Sequence, residues 1–141
     1  MALAGILLAA MPTACGDSPT FPSTAPYRQT DVRVGSGTEA ISGAVVTVNY
    51  TGWLYDPTKL DGKGAQFDTS LGSDPFPFTL GIGQVIQGWD QGIAGMKIGG
   101  LRRLVIPPSL AYGPVRYGPI PPDATLVFDI ELTDVQTAST Q

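Results

Sequence analysis

The sequence predicts an α+β domain, an antiparallel β-sheet with one short α-helix laid across it. Three observations carry this. Near the C-terminus Leu126, Phe128, Ile130 and Leu132 alternate with Val127, Asp129 and Glu131, the two-residue period of a strand with one face buried. One stretch, residues 84–96, has a helical step instead: Val85/Ile86, Trp89, Ile93 and Met96 recur every three or four residues. The 18 glycines and 13 prolines punctuate short apolar runs, as the turns of a β-rich domain do.

Taken in chain order, Val46, Val48 and Tyr50 alternate with Thr47, Asn49 and Thr51, which predicts a half-buried strand. Phe76, Phe78 and Leu80 alternate in the same way around Pro75 and Pro77. Prolines lack a ladder donor, so this is an edge or irregular strand. In the helical stretch Gly88, Gly92 and Gly95 each cost up to about 1 kcal/mol against Ala. The helix must be short and depend on packing its apolar face onto the sheet. Residues 101–106 read as a further strand, stopped by Pro107 and Pro108. Residues 55–65 form a solvated connection. Residues 109–124, with Tyr112, Tyr117, Ile120 and four prolines, read equally well as a binding wall or as a loop packed on itself. Gly52, Gly81 and Gly99 are read as turn glycines. Asp129 and Glu131, and the pair Arg102–Arg103, are read as solvated strand faces.

Composition narrows the chemistry. A length of 141 residues is that of one domain, placed at residues 27–136. Charged residues are only 14% and the net charge is -4, which gives no electrostatic footprint for nucleic acid. There is no histidine and only one cysteine, Cys15. A Ser–His–Asp or Cys–His triad cannot be built, nor a His- or Cys-rich zinc site, nor an intrachain disulfide. No metal or other cofactor is expected. Any catalysis must rest on carboxylates, tyrosines, backbone groups or the shape of an apolar site.

The N-terminus reads as a processing segment. Residues 2–11 are apolar and uncharged, too short to span a bilayer and of the length of a signal's apolar region. Pro12, Thr13 and Ala14 precede Cys15, an arrangement that resembles a bacterial lipoprotein signal. The resemblance implies a signal peptide at 1–14, a lipidated Cys15 and a flexible tether at 15–26; beyond the domain, residues 137–141 are expected to be a disordered tail. The protein is then expected outside the cytoplasm, in the periplasm or at the cell surface, lipid-anchored to a bacterial membrane rather than spanning it.

Further along, an ordered series of segments resembles the FKBP family of macrolide-binding peptidyl-prolyl isomerases. It comprises Val48-Asn49-Tyr50-Thr51-Gly52, Phe67-Asp68-Thr69-Ser70, Phe76-Pro77-Phe78-Thr79-Leu80-Gly81 and Val85-Ile86-Gln87-Gly88-Trp89. Residues 99–106, Leu110-Ala111-Tyr112-Gly113 and residues 120–132 complete it. Each tetrapeptide is weak alone; the order and spacing make the series specific. The resemblance implies a twisted antiparallel β-sheet wrapped around one short α-helix, acting as a monomer on proline-containing polypeptides and binding the family's macrolide inhibitors.

Residue by residue, the resemblance assigns catalysis to Asp68, Tyr50, Trp89 and Tyr112, and substrate contacts to Phe67, Phe76, Val85, Ile86, Ile120 and Phe128. Trp89 would be the pocket floor, and the Ile86 N–H and Tyr112 hydroxyl would donate to substrate carbonyls. Asp68 would accept a hydrogen bond from Tyr50 and, because residues 71–74 carry no cation, would be buried without a paired positive charge. Phe78 is assigned to the core. A rival reading is a non-catalytic module that grips proline-containing segments, as a membrane-anchored binding or chaperone domain would.

Overall fold

The computed structural model describes residues 25–137. The expected signal peptide, Cys15, the tether up to residue 24 and the tail from residue 138 lie outside the described residues. The chain forms β1 (Arg28–Arg33), β2 (Val45–Tyr55), β3 (Lys63–Thr69), β4 (Phe76–Thr79), α1 (Gln87–Ile93), β5 (Leu101–Ile106) and β6 (Leu126–Gln136). The strands make a six-stranded sheet in the order β1–β5–β6–β2–β3, with β4 paired to β2. Every pairing is antiparallel, and the one α-helix among the described residues lies against one face, as the alternation and the helical step predict.

β2 and β6 run together over nearly their full length, from Val45 opposite Gln136 to Leu54 opposite Leu126. This register puts Val46, Val48, Leu126, Phe128, Ile130 and Leu132 on the helix side, all buried. Leu104 and Ile106 of β5, Ile93 of α1 and Leu80 complete the centre of the core at 0% exposure. At about 1.5–3 kcal/mol for each large apolar side chain, this burial is what holds a domain without a cross-link.

α1 has seven residues, shorter than the periodic stretch that contains it. It ends at Ala94, extended at ψ 132°, and at Gly95, whose φ of 90° only glycine takes without strain. Gly88 and Gly92 have a second role besides weakening the helix. A Cβ on Gly88 would stand 2.5 Å from Ile106 Cγ2, and one on Gly92 2.7 Å from Leu104 Cδ1. The missing side chains let the helix backbone rest directly on β5.

Arg102 corrects the reading of the basic pair as a solvated face: it is only 7% exposed. Its Nη1 donates to the carbonyls of Gly92 and Ala94 at 2.8 and 3.2 Å, and its Nε to Asp31 Oδ1 at 2.7 Å. The guanidinium thus closes the carbonyl end of α1, where orphan acceptors and the helix dipole favour a cation.

Asp129 corrects a second such reading. Its side chain is 18% exposed and accepts Arg103 Nε at 2.7 Å, Arg103 Nη2 at 3.0 Å and Lys63 Nζ at 2.7 Å. Burial, the largest single influence, pushes its pKa up, but the hydrogen bonds and charges of Arg103 and Lys63 more than reverse this and hold the carboxyl below its ordinary value. The network ties β3, β6 and β5 together on the face away from the helix. Lys63 also stands 4.1 Å above the ring of Trp53. Glu131 comes nearer to its reading: it is half-buried, with a side chain open to solvent and paired with Arg33 at 2.9 Å.

Candidate active site

The site opens where β2 changes partner. On the edge of β2 away from β6, residues 45–48 pair with β4 and residues 51–55 with β3. Tyr50 falls in the gap, and its backbone is satisfied there by Ser70. Tyr50 N–H donates to Ser70 Oγ at 2.8 Å, and Ser70 N–H donates to the Tyr50 carbonyl at 2.9 Å. The alternation along β2 turns the Tyr50 ring toward the helix, where it meets Trp89 edge-on at 5.0 Å.

Trp89 is 5% exposed and forms the floor. Phe128 stands edge-on to it at 5.2 Å and 86°, Phe76 at 6.2 Å and 72°. Phe67 in turn meets Phe128 edge-on at 5.6 Å. Edge-to-face pairs at these separations are the favoured aromatic geometry. The indole N–H of Trp89 is buried without a hydrogen-bond acceptor, so the floor presents only aromatic surface. Gly52, read from sequence as a turn glycine, lies inside β2 opposite Phe128. A Cβ there would sit 2.7 Å from both Phe128 Cε1 and Phe67 Cζ. Its absence is what lets the two rings form a wall. Gly81 and Gly99, at φ 88° and 93°, do have turn conformations.

The expected residues Tyr50, Phe67, Asp68, Phe76, Val85, Ile86, Trp89, Tyr112 and Phe128 all line this one cleft of about 290 Å³. Ile120 does not: at 4% exposure it packs in the core behind Tyr112's loop. Phe78, at 5%, is core as assigned. Two further lining residues, Gln84 and Tyr117, had no site role in the sequence reading, although Tyr117 stands on the loop that it left open as a binding wall. A separate cleft of about 380 Å³, between β1, β5 and the β2–β3 connection, contains none of the expected residues.

Polar groups sit at the rim. Tyr50 Oη donates to Asp68 Oδ2 at 2.6 Å, and Thr69 N–H donates to Asp68 Oδ1 at 2.9 Å. Asp68 is exposed, so the expectation that it is buried fails; it lies on the solvent side of the rim and water reaches it. Burial, then the hydrogen bond to the Asp68 carboxylate and its charge, push the Tyr50 hydroxyl well above the ordinary tyrosine value. Tyr112 is also raised, by burial first and by Tyr117 and Asp68 after it. Both hydroxyls therefore stay protonated and remain donors.

The loop before α1 is held by Asp90, a residue without an assigned role in the sequence reading. Its carboxylate accepts the N–H groups of Gly81 and Gly83 at 2.8 and 2.9 Å. This fixes the segment carrying Val85 and Ile86. Ile86 is extended, its carbonyl receives Trp89 N–H, and its own N–H has no acceptor among the described residues.

A sheet laid over one helix thus frames a cleft with a buried indole floor, aromatic walls and two protonated tyrosine hydroxyls. Residues 36–133 match the family described as FKBP-type peptidyl-prolyl cis-trans isomerase. An FK506-binding protein of Neisseria meningitidis serogroup B is 50% identical over 107 residues, 74% of this chain and 92% of that protein. FK506-binding protein 1 of Gibberella zeae is 48% identical over 109 residues, 76% of this chain and 96% of that one. Among solved structures, FkpA from Escherichia coli is 43% identical with a TM-score of 0.66, over 80% of this chain and 49% of its own. AtFKBP13 is 39% identical with a TM-score of 0.66, over 79% of this chain and 96% of its own. The chain belongs to the FKBP-type isomerases and is a peptidyl-prolyl cis-trans isomerase.

Proposed function

We propose that the enzyme accelerates rotation of Xaa-Pro bonds in proline-containing polypeptides by holding the twisted amide in the cleft over Trp89. Rotation must break amide resonance, a barrier of about 18–20 kcal/mol. A planar amide is strongly polar, whereas the twisted form has lost its zwitterionic resonance. A dry aromatic floor therefore favours the twisted form relative to water, which is differential binding of the transition state. An acceleration of about 10⁴ to 10⁵ requires about 5.5–7 kcal/mol, and no covalent step. The observation that carries this reading is the buried indole boxed by Tyr50, Phe76 and Phe128, with no polar partner.

In this reading the proline ring lies on Trp89 between Phe67, Phe76 and Phe128, with Val85 beside it. The Ile86 N–H and Tyr112 hydroxyl donate to substrate carbonyls. Asp68 orients Tyr50 and acts electrostatically on the twisting amide. Ile120 supports the wall from within. Macrolides of the kind named in the FK506-binding relatives would compete for the same floor. A protease-free assay on Xaa-Leu-Pro and Xaa-Phe-Pro peptides tests the mechanism, with wild type expected well above both Asp68→Val and buffer. Turnover equal to buffer, with peptide binding retained, would favour the non-catalytic grip instead.

The cellular setting is a proposal of its own: a monomer tethered outside the cytoplasm by lipid on Cys15. The tether rests on the residues before Cys15 alone, and the monomer on the family resemblance. Mass spectrometry of the mature protein is expected to find a diacylglyceryl-modified Cys15 at the N-terminus; an unmodified Cys15 behind an intact Met1 would sink it.

A further inference from the structure

Tyr117 has no role in the mechanism above, yet it is the only aromatic neighbour of Tyr112 among the described residues. The two rings are stacked, with centroids 4.4 Å apart and planes 8° from parallel. Tyr112 is half-buried and lines the cleft. Tyr117 is 59% exposed, so its position is not set by burial. It is set by a two-way hydrogen bond: Tyr117 N–H donates to the Ile120 carbonyl at 3.0 Å, and Ile120 N–H to the Tyr117 carbonyl at 2.9 Å. Ile120, 4% exposed, is anchored in the core. The base of the loop is closed by Asp123 N–H on the Gly113 carbonyl at 2.9 Å.

A continuous chain of contacts thus runs from the core through Ile120 and the backbone of Tyr117 to the face of Tyr112. Tyr112 itself packs against the core from below, and Gly113 N–H donates to the Pro108 carbonyl at 2.9 Å, so the stack supplies the support from the outer side, on a loop whose tip (Val115) is exposed. We propose that Tyr117 is a positioning residue: by stacking on Tyr112 it holds that hydroxyl at the rim of the cleft, ready to donate to a substrate carbonyl. The inference rests on the donor role given to Tyr112 above. It also gives Ile120 a function, as the buried pin under the stack rather than as a substrate contact.

The stack needs a ring and not a hydroxyl, which sets the test. Tyr117→Ala leaves the backbone hydrogen bonds to Ile120 available, so the loop can keep its path while Tyr112 loses its outer support and keeps its packing on the core. Aromatic pairing of ordinary strength corresponds to about a 2- to 13-fold effect. KM for a proline-containing peptide is expected to rise by that factor, with kcat little changed, because the Tyr112 donor serves ground and transition states alike. Tyr117→Phe is expected to recover most of the loss. In a Tyr112→Ala background, Tyr117→Ala should change kcat/KM by less than about twofold, since its effect passes through Tyr112. By NMR, the ring protons of Tyr112 should lose an upfield shift in Tyr117→Ala and keep it in Tyr117→Phe.

An equal loss in both backgrounds would overturn the proposal, since Tyr117 would then act on substrate directly. So would a normal KM in Tyr117→Ala while Tyr112→Ala is impaired. If Tyr112→Ala itself left both constants as in wild type, the donor reading would fall first, and this inference with it.

Discussion

Replacing Asp129 by Asn tests whether the outer face of the sheet is held by charge. The carboxylate accepts hydrogen bonds from Arg103 Nε, Arg103 Nη2 and Lys63 Nζ, all at 2.7–3.0 Å, at 18% exposure. A hydrogen bond to a charged group contributes about 1.5–3 kcal/mol net. Asn keeps one acceptor, loses the charge, and turns an NH₂ toward one of the cations. Lys63 and Arg103, at 17% and 30% exposure, would be only partly rehydrated. The expected loss is about 2–3 kcal/mol at pH 7, below the 3–5 typical of a fully buried pair. For a domain of this size that is roughly 8–12 °C in Tm. The folded-state pKa of Asp129 lies below its ordinary value of 3.8, so its contribution is complete above that pH and fades as pH falls through the depressed value. Urea titrations of wild type and Asp129→Asn should therefore differ fully at pH 5 to 7 and converge in stronger acid. A gap under about 0.5 kcal/mol at pH 7, or one that stays constant into acid, would refute the account. The network lies on the face opposite the cleft, so kcat/KM well below Tm should stay within about twofold of wild type.

Three further outcomes are expected. The hydroxyls of Tyr50 and Tyr112 are both raised above the ordinary 10.0, so the pH profile of kcat/KM should show no falling limb below pH 10; a midpoint near pH 9 would mean that one of them is not the donor. Gly52→Ala places a methyl group 2.7 Å from Phe128 and Phe67, so it should lower kcat/KM about tenfold while the far-UV circular dichroism stays native, for an overpacking strain of about 1–3 kcal/mol. Gly88→Ala would gain about 1 kcal/mol of helix propensity in isolation, yet it collides with Ile106 Cγ2 at 2.5 Å, an overpacking cost of about 1–3 kcal/mol; a net loss of up to about 2 kcal/mol is expected in urea, and a stabilised variant would show that α1 is not seated on β5.

How far the sequence carried these conclusions differed by element, for physical reasons. β6 was legible because one face is buried and the other is not, so hydropathy alternates at the strand period. β4 was legible as an edge because Pro77 cannot pair on both sides, and it does pair with β2 alone. β1 was invisible: every one of its residues is exposed, and it is held by backbone bonds to β5 and by the ion pairs of Asp31 and Arg33, none of which leaves a hydropathy pattern. β3 was partly lost inside a polar connection because none of its residues is fully buried, although Lys63, Gly64, Phe67 and Thr69 are half-buried. The aromatic cleft was legible through the resemblance, whereas hydropathy alone cannot separate a cleft wall from core. Arg102 and Asp129 were misread because their charges suggest solvent, and only the packed structure shows the helix carbonyls and the cations that repay their burial. Tyr117 was in view as an aromatic residue on a proline-rich loop, but hydropathy could not decide between a binding wall and a loop packed on itself.

The two tryptophans lie on opposite faces of the sheet, and this makes the protein its own optical probe. Trp89 is enclosed by aromatic rings with its N–H unpartnered, whereas Trp53 stands outside beneath the Lys63 ammonium. Their emission should differ in colour and in access to soluble quenchers. A ligand settling on the floor would perturb one indole and leave the other as an internal reference. Trp53→Phe would isolate the signal of the cleft without touching it, so occupancy could be followed in real time with no label attached.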